Sequence, residues 1–137
     1  MGQIRELMTV KPRTVKSGDS VVEAAKLMKG EDAGIAPIVD GDKLVGVVTD
    51  RDIAIRVVAE GRDPQSTKVD EVASQNVVTV DPQQDLDEAL RLMAQHQLRR
   101  LPVIEEDGKL VGIVAQADVA RHADATRTGE VVGEISE

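Results

Sequence analysis

Short apolar runs rich in β-branched residues alternate along this chain with stretches whose apolar positions recur at helical spacing. The clearest run is Lys43-Leu44-Val45-Gly46-Val47-Val48-Thr49-Asp50-Arg51-Asp52, where a strand-like segment passes through a polar turn into a helical pattern. Runs of this length bounded by turn residues predict buried strands. Where such a strand hands over to a helix, the first backbone N–H groups of the helix lack intrahelical partners. They offer a place for an anion or a hydroxyl-rich ligand. The same run returns as Lys109-Leu110-Val111-Gly112-Ile113-Val114-Ala115-Gln116-Ala117-Asp118.

In chain order, Ile4 to Met8 is a short apolar lead-in and Thr14-Val15 an extended piece. Asp19 or Ser20 caps a helix whose apolar positions Val22, Ala25, Leu27 and Met28 favour one side, and Gly30 to Gly34 ends it. Ile35 to Asp40 reads as a strand, with Pro37 near its start favouring an edge position. Asp40-Gly41-Asp42 turns the chain into a strand over Leu44 to Val48, and Asp50 starts a helix running to about Glu60. The order then repeats: a strand near Val77–Val80, a helix from Leu86 to Gln95, strands Leu101–Ile104 and Leu110–Val114, and a helix from Ala117 to about Ala123.

The repetition is regular. Thr14-Val15 and Thr79-Val80, Leu27-Met28 and Leu92-Met93, and Pro37-Ile38-Val39 and Pro102-Val103-Ile104 all stand 65 positions apart. After the hairpin the spacing becomes 66, the extra residue falling in Glu105-Glu106-Asp107-Gly108, where a hairpin tolerates a longer loop. Two copies of one unit are therefore expected: residues 1–61 and 69–123, joined by a linker over 62–68 and followed by a tail, 124–137, expected to be mobile. A domain of about 60 residues is marginal alone. Two copies sharing an apolar face, in a pseudo-twofold arrangement with a cleft between them, solve that problem, and such clefts are common ligand sites.

Composition narrows the function. With 17 basic and 25 acidic residues the net charge is −8, and the acidic residues are scattered. The chain has no Phe, Tyr or Trp, so Val, Ile, Leu, Met and Ala must fill the core and no ring can stack on a base. Nucleic-acid binders carry a basic face and often aromatic platforms; with neither, nucleic acid is not an expected partner. The acidic total does not forbid a phosphorylated small molecule, because screening over roughly 10 Å makes local charge decisive. No apolar run approaches the roughly 20 residues that cross a bilayer, so no membrane partner is expected. There is no export-type leader, and the absence of cysteine excludes disulfides, thiol nucleophiles and cysteine-ligated metals, so a cytoplasmic location is expected. A nucleophile elbow, a Walker loop and a His-based acid/base pair are all missing, so the chain reads as a non-enzyme. His96 and His122 read as solvated, and their spacing gives no metal motif.

A tandem β-α-β-β-α unit with Gly-x-x-Thr-x-x-Asp at its last strand-to-helix turn resembles the CBS domain pair, or Bateman module. The likeness covers about residues 4 to 123 and is to a stand-alone bacterial pair. It implies an α/β (α+β) fold of two small sheets packed by helices around a pseudo-twofold axis. It also implies an adenosine ligand in the inter-repeat cleft (AMP, ADP, ATP or S-adenosylmethionine), no required cofactor, a homodimer, and a partner protein regulated in trans. Carried over by position, the ribose-binding carboxylate falls on Asp52 in the first copy and Asp118 in the second. Thr49 takes the family's hydroxyl position, whereas its counterpart Ala115 has no polar group. The backbone of Thr14-Val15 and of Thr79-Val80, with Ile38 and Val103, matches positions that flank the adenine. Arg99 and Arg100 match a basic pair that reaches phosphates in nucleotide-binding relatives, and the guanidinium fork suits that geometry. The first copy has Gly34-Ile35-Ala36-Pro37 there, without charge.

Plainer roles compete with these. Thr49-Asp50-Arg51-Asp52 is also a sound helix start, and the arginines also suit surface ion pairs. Two functions follow: a regulatory sensor of an adenosine-containing ligand, or a structural CBS dimer with empty or degraded sites that binds a protein directly.

Overall fold

The structure, a computed structural model, describes residues 2–123; the tail expected to be mobile, 124–137, lies outside the described residues. The repeated apolar runs supply the longer strands. In chain order these are β1 (Thr9–Val10), β2 (Val15–Lys16), β3 (Ile35–Asp40), β4 (Lys43–Thr49), β5 (Arg100–Ile104) and β6 (Leu110–Ala115). They form two three-stranded sheets, ordered β2-β3-β4 and β1-β6-β5. Each is built on an antiparallel hairpin, β3/β4 or β5/β6, and both hairpins shift register at matching places, Ile38/Val39 and Val103/Ile104. The hairpin turns put Gly41 at φ 65° and Gly108 at φ 90°, a backbone region that disfavours a side chain.

Helices cover these sheets: α1 (Val21–Glu31), α2 (Asp50–Ile53), α3 (Val69–Val72), α4 (Leu86–His96) and α5 over residues 116–123. Ser20 takes the N-cap position of α1 but makes no side-chain cap bond. Instead the Val21 N–H donates to the Thr67 carbonyl at 2.9 Å, so the linker closes the helix start. Gly30 lies inside α1; the left-handed residue that ends the helix is Asp32, as Gln97 ends α4. The helix expected over Asp50 to Glu60 makes one α turn and then a π segment, Ala54–Val58, with Ala59 N–H donating to the Ala54 carbonyl at 2.9 Å.

Two expectations are corrected by pairing, and a third gains its detailed form. Pro37 sits in the middle strand, not at an edge. It faces Val47 across the hairpin, and β2 pairs only from Ile38 onward, so the missing proline N–H leaves no ladder bond unmade. The strand expected near Val77–Val80 shrinks to one bridge, Val80 with Val103. The lead-in over Ile4 to Met8 is a 3-10 turn, Ile4–Glu6, and the chain then runs as β1 against β6.

That last pairing is an exchange. Ile4 is fully buried in the core of the second repeat, with Leu86, Ala89, Met93, Leu101 and Val114. Val69 and Val72 of α3 are buried in the core of the first, with Val21, Leu27, Ala36, Ile38 and Val48. Symmetric backbone bonds fix both crossings: Ile4 N–H to the Gln84 carbonyl and Val69 N–H to the Asp19 carbonyl, at 2.9 and 2.8 Å. At the other end, Leu44 N–H donates to the Gly108 carbonyl and Leu110 N–H to the Asp42 carbonyl, so the two hairpins pair around the pseudo-twofold.

Candidate ligand site between the repeats

The exchange explains the repeated motif glycine. A Cβ on Gly112 would lie 2.9 Å from the Thr9 carbonyl oxygen and 2.8 Å from Met8 Sδ; one on Gly46 would lie 3.2 Å from the Ser74 carbonyl oxygen. Each glycine lets the other repeat's lead-in cross its strand. The crossing brings Thr9 beside the second motif and Ser74 beside the first. The strand-to-helix turns are held alike, Asp50 N–H donating to the Gly34 carbonyl at 3.0 Å and Gln116 N–H to the Arg99 carbonyl at 2.8 Å.

The side chains then diverge. Asp52 is buried, 8% exposed. Its Oδ2 accepts the Thr49 N–H at 3.0 Å, while its own N–H donates to Thr49 Oγ1 at 3.0 Å, a reciprocal cap. The Ser74 hydroxyl lies 3.4 Å from Oδ2 and 3.5 Å from Oδ1. Asp118, beside Ala115, has no such box. Its side chain stays 33% exposed, its ion-pair partner is Arg121 one turn on, and it lines a cavity of about 260 Å³.

The cavity is assembled from both repeats. Ile113, Ala115 and Asp118 come from the second motif; Thr9, Lys11, Pro12 and Arg13 from the crossing lead-in; Leu27, Ala33, Ile35 and Pro37 from the first repeat. Arg100 closes one side, and Glu31 pairs with Arg13 at 3.5 Å. The wall is thus apolar, with three cations and two carboxylates around it. In the pseudo-equivalent position Ala33 becomes Leu98, Leu27 becomes Leu92 and Arg13 becomes Val78. All three of those pack against the second core. The counterpart site thus carries larger or apolar side chains at three positions where the cavity has Ala33, Leu27 and Arg13.

A wider cleft of about 710 Å³ lies alongside, lined by Thr49, Asp50 and Arg51 at the start of α2, by residues 32–35, and by residues 97–100. Ala33, Ile35 and Arg100 line both spaces. Arg100 also donates to the Asp32 carbonyl at 3.4 Å.

The structure therefore brings Asp118 and Arg100 together in the cavity, and Thr49, Arg99 and Arg100 in the cleft; Asp52 lines neither. None of Thr14, Val15, Ile38, Thr79, Val80 and Val103, the positions matched to the adenine by backbone or side chain, lines either space. Val15 and Ile38 are buried in the first core, Val80 and Val103 in the second, while Thr14 is exposed and Thr79 half-buried. Strand alternation is the reason: Ala36 and Ile38 point to the helix-side core, so Ile35 and Pro37 face the cavity. Sequence reasoning passed over Lys11 and Arg13. Setting the copies side by side exposes them, since Asn76 and Val78 stand in the matching places.

The family model for the CBS domain matches twice, over residues 4–59 and 69–125, and the chain belongs to that family. It is 46% identical over 120 residues to CBS domain-containing protein YhcV of Bacillus subtilis (strain 168), covering 88% of this chain and 84% of the relative. Among solved structures it is similar to Hypoxic Response Protein I with two coordinated zinc ions (40% identity, TM-score 0.79, 88% of this chain and 98% of that one). It is similar to CBSX2 in complex with AMP (27% identity, TM-score 0.80, 93% and 99%). It is also similar to the CBS pair of MJ0100 with 5′-methylthioadenosine and S-adenosyl-L-methionine (28% identity, TM-score 0.79, 92% and 98%). The two small sheets packed by helices are the CBS-pair architecture. Among the described residues no group of three or more His, Asp or Glu side chains is placed to hold a metal ion.

Proposed function

We propose that this chain is a regulatory module that takes an adenosine-containing ligand (AMP, ADP, ATP or S-adenosylmethionine) into the cavity beside Asp118 and thereby modulates a partner protein. The carrying observation is the asymmetry of the two carboxylates: Asp118, paired with exposed Arg121, lines open space shared with Lys11, Arg13 and Arg100, while Asp52 caps its own helix, meets Ser74 and lines neither space. A carboxylate accepts from both cis hydroxyls of a ribose. Leu27, Ile35, Pro37 and Ile113 supply the apolar wall for a base. The AMP and S-adenosylmethionine complexes of the similar CBS pairs support the ligand class. The module acts by binding, in the cytoplasm, as a homodimer; exposed Ile55 and Val58 supply an apolar face for self-association.

Scanning calorimetry with each of the four compounds tests this. A ligand at 100 times its dissociation constant raises stability by about 2.7 kcal/mol. The shift is expected to vanish in Asp118→Ala and to survive in Thr49→Ala. No shift with any compound at millimolar concentration overturns the reading. A second reading, a structural dimer that binds a protein directly, is favoured by the closed state of the Asp52 site, and it predicts that outcome.

A further inference from the structure

The lead-in that crosses onto the second repeat also builds part of the cavity, and from this we infer that it is a releasable strap. The cavity is complete only while the strap is docked, so an occupant of the cavity locks it in place. The inference rests on the adenosine reading of the Asp118 cavity only for the identity of that occupant. Residues 3–10 lie against the second repeat, where Ile4 is fully buried with Leu86, Met93 and Leu101. The same segment brings Thr9, Lys11, Pro12 and Arg13 to the cavity wall. Release thus removes that wall and uncovers the second core at Ile4, and a ligand that needs the wall binds the docked state alone.

Two differences between the crossings point to this strap and not to its counterpart over residues 68–75. Lys11, where the strap rejoins the first repeat, holds φ 50°, a left-handed conformation that costs free energy in a residue with a long side chain. Asn76 stands in the matching place and is of a type that tolerates that conformation better, yet among the described residues it does not adopt it. The counterpart is also anchored by side chains. Arg56 Nη1 donates to the Val72 carbonyl at 3.1 Å, Arg62 pairs with Glu71 at 2.9 Å, and the Ser74 hydroxyl lies 3.4 Å from Asp52 Oδ2. On the strap side the match to Arg56 is His122, which makes no such bond among the described residues, and the match to Ser74 is Thr9, which lines the cavity. The strap holds through Ile4, the two-residue β1 and backbone bonds to the second repeat. A segment held in this way opens without global unfolding. Such an opening is a minor state of the native protein and leaves urea unfolding a single transition.

Amide hydrogen exchange of the full isotope-labelled chain, followed by NMR, tests the inference through paired bonds. Ile4 and Arg5 N–H donate to the Gln84 and Pro82 carbonyls, and Leu86 N–H to the Gly2 carbonyl, each at 2.9 Å. At the other crossing Val69 N–H donates to the Asp19 carbonyl at 2.8 Å and Val21 N–H to the Thr67 carbonyl at 2.9 Å. In the free chain the three strap amides should be at least about tenfold less protected than Val69 and Val21. AMP or S-adenosylmethionine at about 100 times its dissociation constant, measured by titration calorimetry, should raise their protection about a hundredfold, since the strap then opens only after the compound leaves. Equal protection at the two crossings of the free chain overturns the strap, and binding by either compound then leaves the adenosine site standing. A compound that binds without raising protection at Ile4, Arg5 and Leu86 overturns the lock. A weakly protected strap in a chain that binds neither compound upholds its release and removes the adenosine reading. Equal protection without binding overturns both.

Discussion

Thr49 and Asp52 hold each other through two 3.0 Å bonds, and nothing equivalent ties Ala115 to Asp118. Thr49→Ala should therefore cost about 1 kcal/mol of stability, read by urea unfolding, with little effect on a ligand at Asp118. A stability loss near zero would mean the cap is not formed. The motif glycines carry a second residue-scale prediction. Gly112→Ala forces a methyl to within 2.9 Å of a backbone oxygen, against 3.2 Å for Gly46→Ala. The first should lose about 1–3 kcal/mol and the second less. Thr49-x-x-Asp52 and its partial copy were plain in the sequence. Which carboxylate borders the cavity was not, because the walls of that cavity, and the Ser74 hydroxyl that adds to Thr49 at Asp52, come from segments that cross between the repeats. Parity was equally hidden: Ile35-Ala36-Pro37-Ile38 is apolar throughout, so no alternation told the cavity face from the core face.

At the scale of elements, helices and hairpins followed local signals, whereas two-residue strands exist only because a partner is in place. β1 has no apolar run of its own; it is a strand because Gly112 leaves room for it against β6. The π segment after α2 likewise has no local signature in Ala54–Val58. The exchanged lead-ins make the repeats interdependent. Ile4 belongs to the first repeat by order and is 0% exposed in the core of the second. Ile4→Ala should remove about 2–5 kcal/mol. The loss should appear as one shifted transition in urea unfolding followed by circular dichroism, since each core contains a piece of the other repeat. Two separated transitions would show that the crossings do not couple the halves.

For the molecule as a whole, acid acts in two opposing ways. Protonation first shrinks the net charge of −8 and relieves self-repulsion. It then removes carboxylates that the fold uses. Glu71 is held below the ordinary glutamate value, first by the Lys68 N–H that it accepts at 2.9 Å and further by Arg62. Glu88 is held below it by Arg91. A carboxylate whose pKa is depressed on folding stabilises the native state fully above its unfolded pKa, and that contribution disappears as pH falls through the folded value. Glu71 matters beyond its own exposed surface, because its bond to Lys68 starts α3, whose Val69 and Val72 seal the first core. Stability should therefore hold on mild acidification and fall only below the ordinary glutamate range. Thermal unfolding of the wild type and Glu71→Gln across that range isolates the group: the wild type should be the more stable at neutral pH, and the gap should close as Glu71 protonates. A gap that persists in acid would assign the effect to the shape of the side chain and not to its charge.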